Sequence, residues 1–159
     1  MKILALNKKA TFDYQILETY EAGLVLFGYE VKTVRAGQAN LKGSYISFKT
    51  NKKNNNEAYL ISSYIPLYKP AGKKEEYNPE RPRQILLRKK ELDYLVGKKQ
   101  EKGLTVVPIK LYTKNSFIKL EVALVKGKKA FDKREDLKKK DTDKYIKTIM
   151  KKKIKEAYS

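Results

Sequence analysis

The sequence predicts a mainly β protein: a small antiparallel barrel of about six strands with two or three short helices, then a disordered basic C-terminal tail. Three observations predict it. Strand-like stretches with bend signals recur roughly ten residues apart, the spacing of a small closed or nearly closed barrel. The segment 116–125 alternates: Ile118, Leu120, Val122 and Leu124 share one face, and Phe117, Lys119, Glu121 and Ala123 share the other. After Val125 the apolar pattern stops, and residues 126–159 carry 14 Lys and Arg against 6 Asp and Glu.

The elements follow in order. Residues 11–27 are rich in β-branched and aromatic residues, with Phe12, Tyr14 and Ile16 alternating with Asp13 and Gln15, as in a strand. Gly23 interrupts that run and suggests a bulge or sharp bend, after which residues 24–27 resume it. Val31 and Val34 stand three apart and Gly37 can end a helix, which predicts two helical turns over residues 28–37. Residues 44–48 and 57–65 are strand-like, with the polar run 51–56 as their hairpin loop. Pro66, Pro70, Pro79 and Pro82 make residues 66–83 a long loop. A helix is predicted over residues 85–102, with Leu92, Leu95 and Val96 as its apolar stripe and Gly103 as its stop. Residues 104–112 and 116–125 form a second hairpin, in which Pro108 belongs at an edge or a bulge. The barrel class that fits is OB-like, the one most used for oligonucleotides. The expected division is a barrel over residues 1–127 and a tail over residues 128–159.

The tail is another kind of sequence. Ile146, Ile149, Met150 and Ile154 fall on one helical face among Lys147, Lys151, Lys152 and Lys155. So few aliphatic side chains cannot offset roughly 1–2 kcal/mol of backbone ordering entropy per residue. The tail is expected to be disordered alone and helical on a polyanionic surface that neutralises its lysines.

Composition narrows the function. The chain has 159 residues, 37 basic and 18 acidic, for a formal net charge of +19. Such a field attracts polyanions, nucleic acid first and anionic membrane second. The absence of Cys and His removes thiolate nucleophiles, imidazole bases and Cys/His metal sites. No apolar run approaches the ~20 residues of a spanning helix, and the N-terminal apolar stretch is too short for a signal peptide. The expectation is a soluble cytoplasmic monomer with no membrane contact. No phosphate-binding loop, nucleophile elbow or dinucleotide fingerprint occurs, so no catalytic residue, metal or cofactor is assigned. Glu21 and Glu30 could meet in space, but a solvated surface or an ion pair with a nearby lysine is the plainer reading of each.

Nucleic-acid chemistry is better represented. Lysines interleave with aromatics at Lys8, Lys9 and Phe12, at Phe117 and Lys119, and at Lys128, Lys129, Phe131 and Lys133. Lysines neutralise phosphates, and rings stack on unpaired bases. Phe131 is a lone aromatic in a charged segment, suited to stacking or to anchoring the tail on the barrel. Asp132 lowers phosphate affinity unless it caps a helix or holds Lys133 or Arg134 in one pose; otherwise it is an incidental acid in a solvated charge run.

Longer motifs carry a resemblance. Residues 7–10 (NKKA), 21–26 (EAGLVL), 28–32 (GYEVK), 35–37 (RAG) and 127–129 (GKK) followed by 132–134 (DKR) resemble the SsrA-binding protein, or small protein B, family. Ser44-Tyr45, Leu86-Leu87 with Glu91-Leu92, and residues 103–108 (GLTVVP) fit the same pattern, in order over nearly the whole chain.

The resemblance implies an OB-like barrel that binds the tRNA-like domain of transfer-messenger RNA at its elbow. It implies delivery, with the GTP-bound elongation factor that carries aminoacylated RNA, to ribosomes stalled without a usable codon. The tail would become helical at the small-subunit decoding site and in the empty mRNA channel, allowing trans-translation to tag the nascent peptide. By position, Asn7, Glu21, Leu86 and Lys119 match residues of the family's RNA-binding surface. Asp132, Lys133 and Arg134 match its tail motif, and Ile149 and Met150 its tail-helix apolar pair. Family members commonly carry His near Phe12 and His or Tyr at Phe131; here stacking at Phe131 survives and a protonatable role does not. The alternatives are a structural ribosomal protein and a general single-strand-binding barrel.

Overall fold

The computed structural model describes residues 1–72 and 76–128. The elements are β1 (Lys2–Leu6), α1 (Lys8–Asp13), β2 (Tyr14–Leu24), α2 (Gly28–Arg35), β3 (Tyr45–Thr50), β4 (Asn56–Ile61), β5 (Arg83–Leu86), α3 (Lys89–Lys99), β6 (Leu104–Lys114) and β7 (Phe117–Gly127), with a 3-10 turn at Lys69–Ala71. The seven strands form one sheet in the order β1-β6-β7-β2-β5-β4-β3. All its paired strands run antiparallel. Strand β3 curls back against β6 without a hydrogen-bonded ladder to close the ring. The result is the mainly β, barrel-like architecture expected, open along one seam.

The two hairpins and α2 lie where the sequence puts them. Asn51 Oδ1 accepts the N–H groups of Lys53 and Asn55 at 2.9 and 3.0 Å, closing the polar hairpin loop. Gly37 has φ +77°, the left-handed conformation that stops α2 after two turns. In β6 the pairing register shifts between Pro108 and Lys110, so the proline sits at a bulge.

Three expectations are corrected. Residues 11–13 are helical, not the start of a strand. Asn7 caps α1 by accepting the Ala10 N–H at 3.3 Å, and the Thr11 hydroxyl donates to the Lys8 carbonyl at 2.8 Å. Local capping thus overrides the alternation of Phe12 and Tyr14. Gly23 does not break β2; it pairs with Lys119 on one side and Leu86 on the other, and the irregularity falls at Ile16–Glu18. Ile85 and Leu86 are strand, not helix, because β5 fills the gap between β2 and β4 and buries Ile85. The helix starts only at Lys89, where the Glu91 carboxylate accepts the Arg88 N–H at 3.4 Å. With β1 also present, the described residues hold seven strands.

The main core lies inside the curled sheet, where Leu120, Val122 and Leu124 of β7 meet Leu111, Leu60, Ile46, Val34 and Leu95. A second cluster forms on the opposite face, where α1 lays Ala10 over Val107, Ile109, Ala123 and Val125. The outward face of β7 is therefore solvent-facing only up to Glu121; Ala123 is covered by α1.

One buried polar knot joins α2, the 66–83 loop and β5. Glu30 and Arg83 are both 0% exposed. Arg83 donates to Glu30 Oε2 from Nη2 at 2.7 Å and Nε at 2.9 Å, to the Ser63 carbonyl at 3.1 Å and to the Pro79 carbonyl at 2.9 Å. Arg81 clasps the other Glu30 oxygen through Nη2. The Tyr77 hydroxyl lies 2.7 Å from the Ile65 carbonyl and 3.0 Å from Glu30 Oε2. Burial alone would push the Glu30 carboxyl up; bonds from Arg81, the Phe27 N–H and Arg83 outweigh it and hold it below its ordinary value. The plainer sequence reading of Glu30 as a surface group is thus corrected. Its partners are arginines distant in sequence, beyond the reach of any local pattern.

Candidate nucleic-acid interface

Strand pairing assembles the site. Gly23 stands opposite Lys119 on β7 and opposite Leu86 on β5, and Lys119 stands opposite Tyr112 on β6. Directly opposed residues share a sheet face, so Leu86, Gly23, Lys119 and Tyr112 form one row across four strands. The next row on that face holds Glu21, Glu121 and Lys110. Helix α1 covers the same face further along, over Ala123 and Val125. From Val125 to Phe117 the face spans about 26 Å along β7 at strand rise. Leu86 is 55% exposed, Phe117 is 68% exposed, and Gly23 between Leu86 and Lys119 keeps the floor low.

The charges on this face are ordered. Glu21 accepts the Tyr112 hydroxyl at 2.6 Å and Lys114 Nζ at 3.3 Å. The Tyr112 bond, with help from Lys114 and Lys119, holds the Glu21 carboxyl below its usual range. Burial, then the Glu21 bond, pushes the Tyr112 phenol up. Glu21 is therefore a fixed, ionised acceptor and Tyr112 a fixed donor. Lys110 Nζ lies 3.4 Å from Glu121 Oε2. Lys119 Nζ lies 5.9 Å from the centre of the Phe117 ring, and among the described residues no carboxylate is within ion-pair distance of it. The row thus offers an exposed apolar side chain, a cation on an exposed ring, and a held carboxylate. That set can take a ribose or base edge, a phosphate and an amino or hydroxyl donor.

Not every candidate residue touches this surface. Asn7 is only 3% exposed. Its Nδ2 donates to the Pro108 carbonyl at 2.9 Å and its N–H to the Ile109 carbonyl at 2.8 Å. It pins α1 to the β6 bulge and so places exposed Lys8 and Lys9. Asn7→Ala removes the cap and the side-chain bond to the Pro108 carbonyl. It should cost about 2 kcal/mol of stability, read as a lower urea midpoint at unchanged slope. Lys128 is half-buried at the end of β7. Lys129, Phe131, Asp132, Lys133, Arg134, Ile149 and Met150 lie outside the described residues. Sequence reading missed Tyr112 and Lys114, the partners that fix Glu21. Lys110, Tyr112 and Lys114 alternate on β6 and could have been placed on one face by parity.

Among the described residues no group of three or more acidic, His or Cys side chains is arranged to hold a metal. No described helix is long and apolar enough to cross a membrane.

A family model described as SmpB protein matches residues 4–152. The chain belongs to the SmpB family. Its relatives include an SsrA-binding protein of Thermosipho melanesiensis, 48% identical over 152 residues, covering 95% of this chain and 99% of the relative. One from Sulfurihydrogenibium sp. is 49% identical over 154 residues, covering 97% of each chain. One from Nostoc punctiforme is 44% identical over 150 residues, covering 94% of each. Among solved structures, a chain of "tmRNA-SmpB: a journey to the center of the bacterial ribosome" aligns with a TM-score of 0.64 and 42% identity, over 83% of this chain and 92% of that one. The SmpB membership agrees with the mainly β fold read from the residues.

Proposed function

We propose that this chain is a non-enzymatic RNA-binding adaptor of ribosome rescue. It binds the tRNA-like domain of transfer-messenger RNA and accompanies it to stalled ribosomes for trans-translation. The observation that carries this reading is the row Leu86, Gly23, Lys119 and Tyr112 with Glu21 beside it. It brings three of the expected RNA-binding residues from three separate strands onto one face. Family membership and the SsrA-binding relatives support the choice of RNA.

A division of labour completes the proposal. The barrel, residues 1–127, holds the RNA. The tail, residues 128–159, reads the empty mRNA channel, with Asp132, Lys133 and Arg134 acting after RNA binding and Ile149 and Met150 seating the tail helix. Removing residues 128–159 should leave affinity for the tRNA-like domain within about threefold, apart from the loss of tail lysines from the salt dependence. Asp132→Ala and Lys133→Ala should bind RNA normally and fail to support tagging on stalled ribosomes in a reconstituted translation assay. Loss of RNA binding on truncation, or normal tagging by both variants, would refute the division.

A further inference from the structure

A second aromatic and cationic surface begins where the sheet row ends. Beyond Gly23, the Val25 N–H still donates to the Gln84 carbonyl at 3.0 Å, so the extended chain continues past β2. Alternation then carries Gly23, Val25 and Phe27 along one side. Val25 and Phe27 are 46% and 47% exposed. The Arg81 guanidinium lies 3.9 Å from the Phe27 ring centre, and Phe27 lies 5.5 Å from the Tyr29 ring. Tyr29 in turn lines a cavity of about 420 Å³ with Gly28, Lys32, Tyr68, Pro70 and Ala71. Lys32 Nζ stands 5.4 Å from the Tyr68 ring centre.

We propose that the RNA-binding face continues past Leu86 onto this surface. An unpaired nucleobase enters the cavity between Tyr29 and Tyr68, Lys32 meets its phosphate, and the chain leading to it crosses the Phe27–Arg81 stack. The proposal rests on the sheet face being the RNA surface. The cavity lies within the size range of small-ligand pockets and, among the described residues, is lined by rings and one cation with no carboxylate in its wall. That is the composition of a stacking site for single-stranded nucleic acid. The nearest acid in sequence, Glu30, is fully buried and engaged by two arginines, so it does not repel a phosphate there. The same knot fixes the floor: Tyr77, bonded to Glu30, packs edge-on against Tyr29 at 5.4 Å between centroids. Gly28 has open space where a side chain would stand, leaving the mouth clear.

The test is equilibrium binding of the full chain to a transcript of the tRNA-like domain. Lys119→Ala serves as the reference arm because it reports on the sheet face alone. The double variant Lys32→Ala with Tyr68→Leu should weaken binding about tenfold, whereas Tyr68→Phe, which keeps the ring, should stay within about twofold. Thermal midpoints of all variants identify any that fail to fold. With 4-thiouridine in the transcript, crosslinks should map to the peptide containing Tyr68. Unchanged affinity of the double variant while Lys119→Ala weakens binding overturns this subsite and leaves the sheet face intact. Unchanged RNA affinity with lost ribosome association overturns it in favour of a protein contact.

Discussion

Arg83→Ala should destabilise the barrel by about 3–5 kcal/mol, a large part of the 5–15 kcal/mol typical of a whole domain. The cost does not come from the ion pair being strong. It comes from leaving Glu30 buried with one arginine fewer, and from removing the Arg83 bond to the Ser63 carbonyl; the Pro79 carbonyl keeps the Ile65 N–H at 3.0 Å. Glu30→Ala should cost a similar amount by stranding Arg83, which is 0% exposed. Replacing Glu30 and Arg83 together with apolar residues should recover part of the loss, because the stranded charge is gone. Urea denaturation of the three variants checks this; additive losses would contradict it.

The knot also sets a pH dependence. Glu30 has a folded pKa below its unfolded value, so its contribution is present above the ordinary carboxyl range and is lost as pH falls through the folded pKa. Tyr77 is pushed up from 10.0 to about 12, first by burial and then by Glu30. Its contribution is therefore intact below about pH 10 and is lost as pH rises towards about 12. Tyr77→Phe should flatten stability against pH in that window.

The second large effect concerns binding. Lys119→Glu combined with Leu86→Asp should reduce affinity for the tRNA-like domain by roughly 100-fold or more, with the thermal midpoint nearly unchanged. Lys119 is half-buried on the outer face and Leu86 is exposed, so neither substitution opens the core. Both place a carboxylate against phosphate, where like charges repel and the lost cation no longer releases counterions. The single variant Lys119→Ala should lower the slope of log K against log salt by about one. Glu21→Gln tests the held carboxylate separately. It keeps the shape and one acceptor for the Tyr112 hydroxyl, and it should weaken binding less than Glu21→Ala.

How much of this was legible in the sequence depends on range. The alternation in β7 placed Lys119 outward, and Pro108 announced a bulge, because each is a local property of one strand. Residues 11–13 and 85–86 were misassigned because local pattern competed with something non-local. Asn7 reaches across to Pro108 and turns a strand-like run into α1. Ile85 and Leu86 are extended because β2 and β4 flank them. The site has the same character. Glu21 and Leu86 were RNA-site candidates by family resemblance alone, whereas Lys119 also stood out beside Phe117; only the register of β2 against β5 and β7 brings the three to one face. Asn7 entered with them and proved to be a buried support for α1. The Glu30 knot had no sequence signal, since Tyr77, Arg81 and Arg83 lie roughly 50 residues away.

The central claim is that this face holds one tRNA-like RNA. Its most direct measurement is to recover the protein from cells, as wild type and as the Lys119→Glu, Leu86→Asp variant, and sequence the RNA that comes with it. The account predicts strong enrichment of a single transfer-messenger RNA with the wild type, and its loss with the variant. A mixed population of mRNA fragments, or the same RNA recovered equally with both proteins, would contradict it.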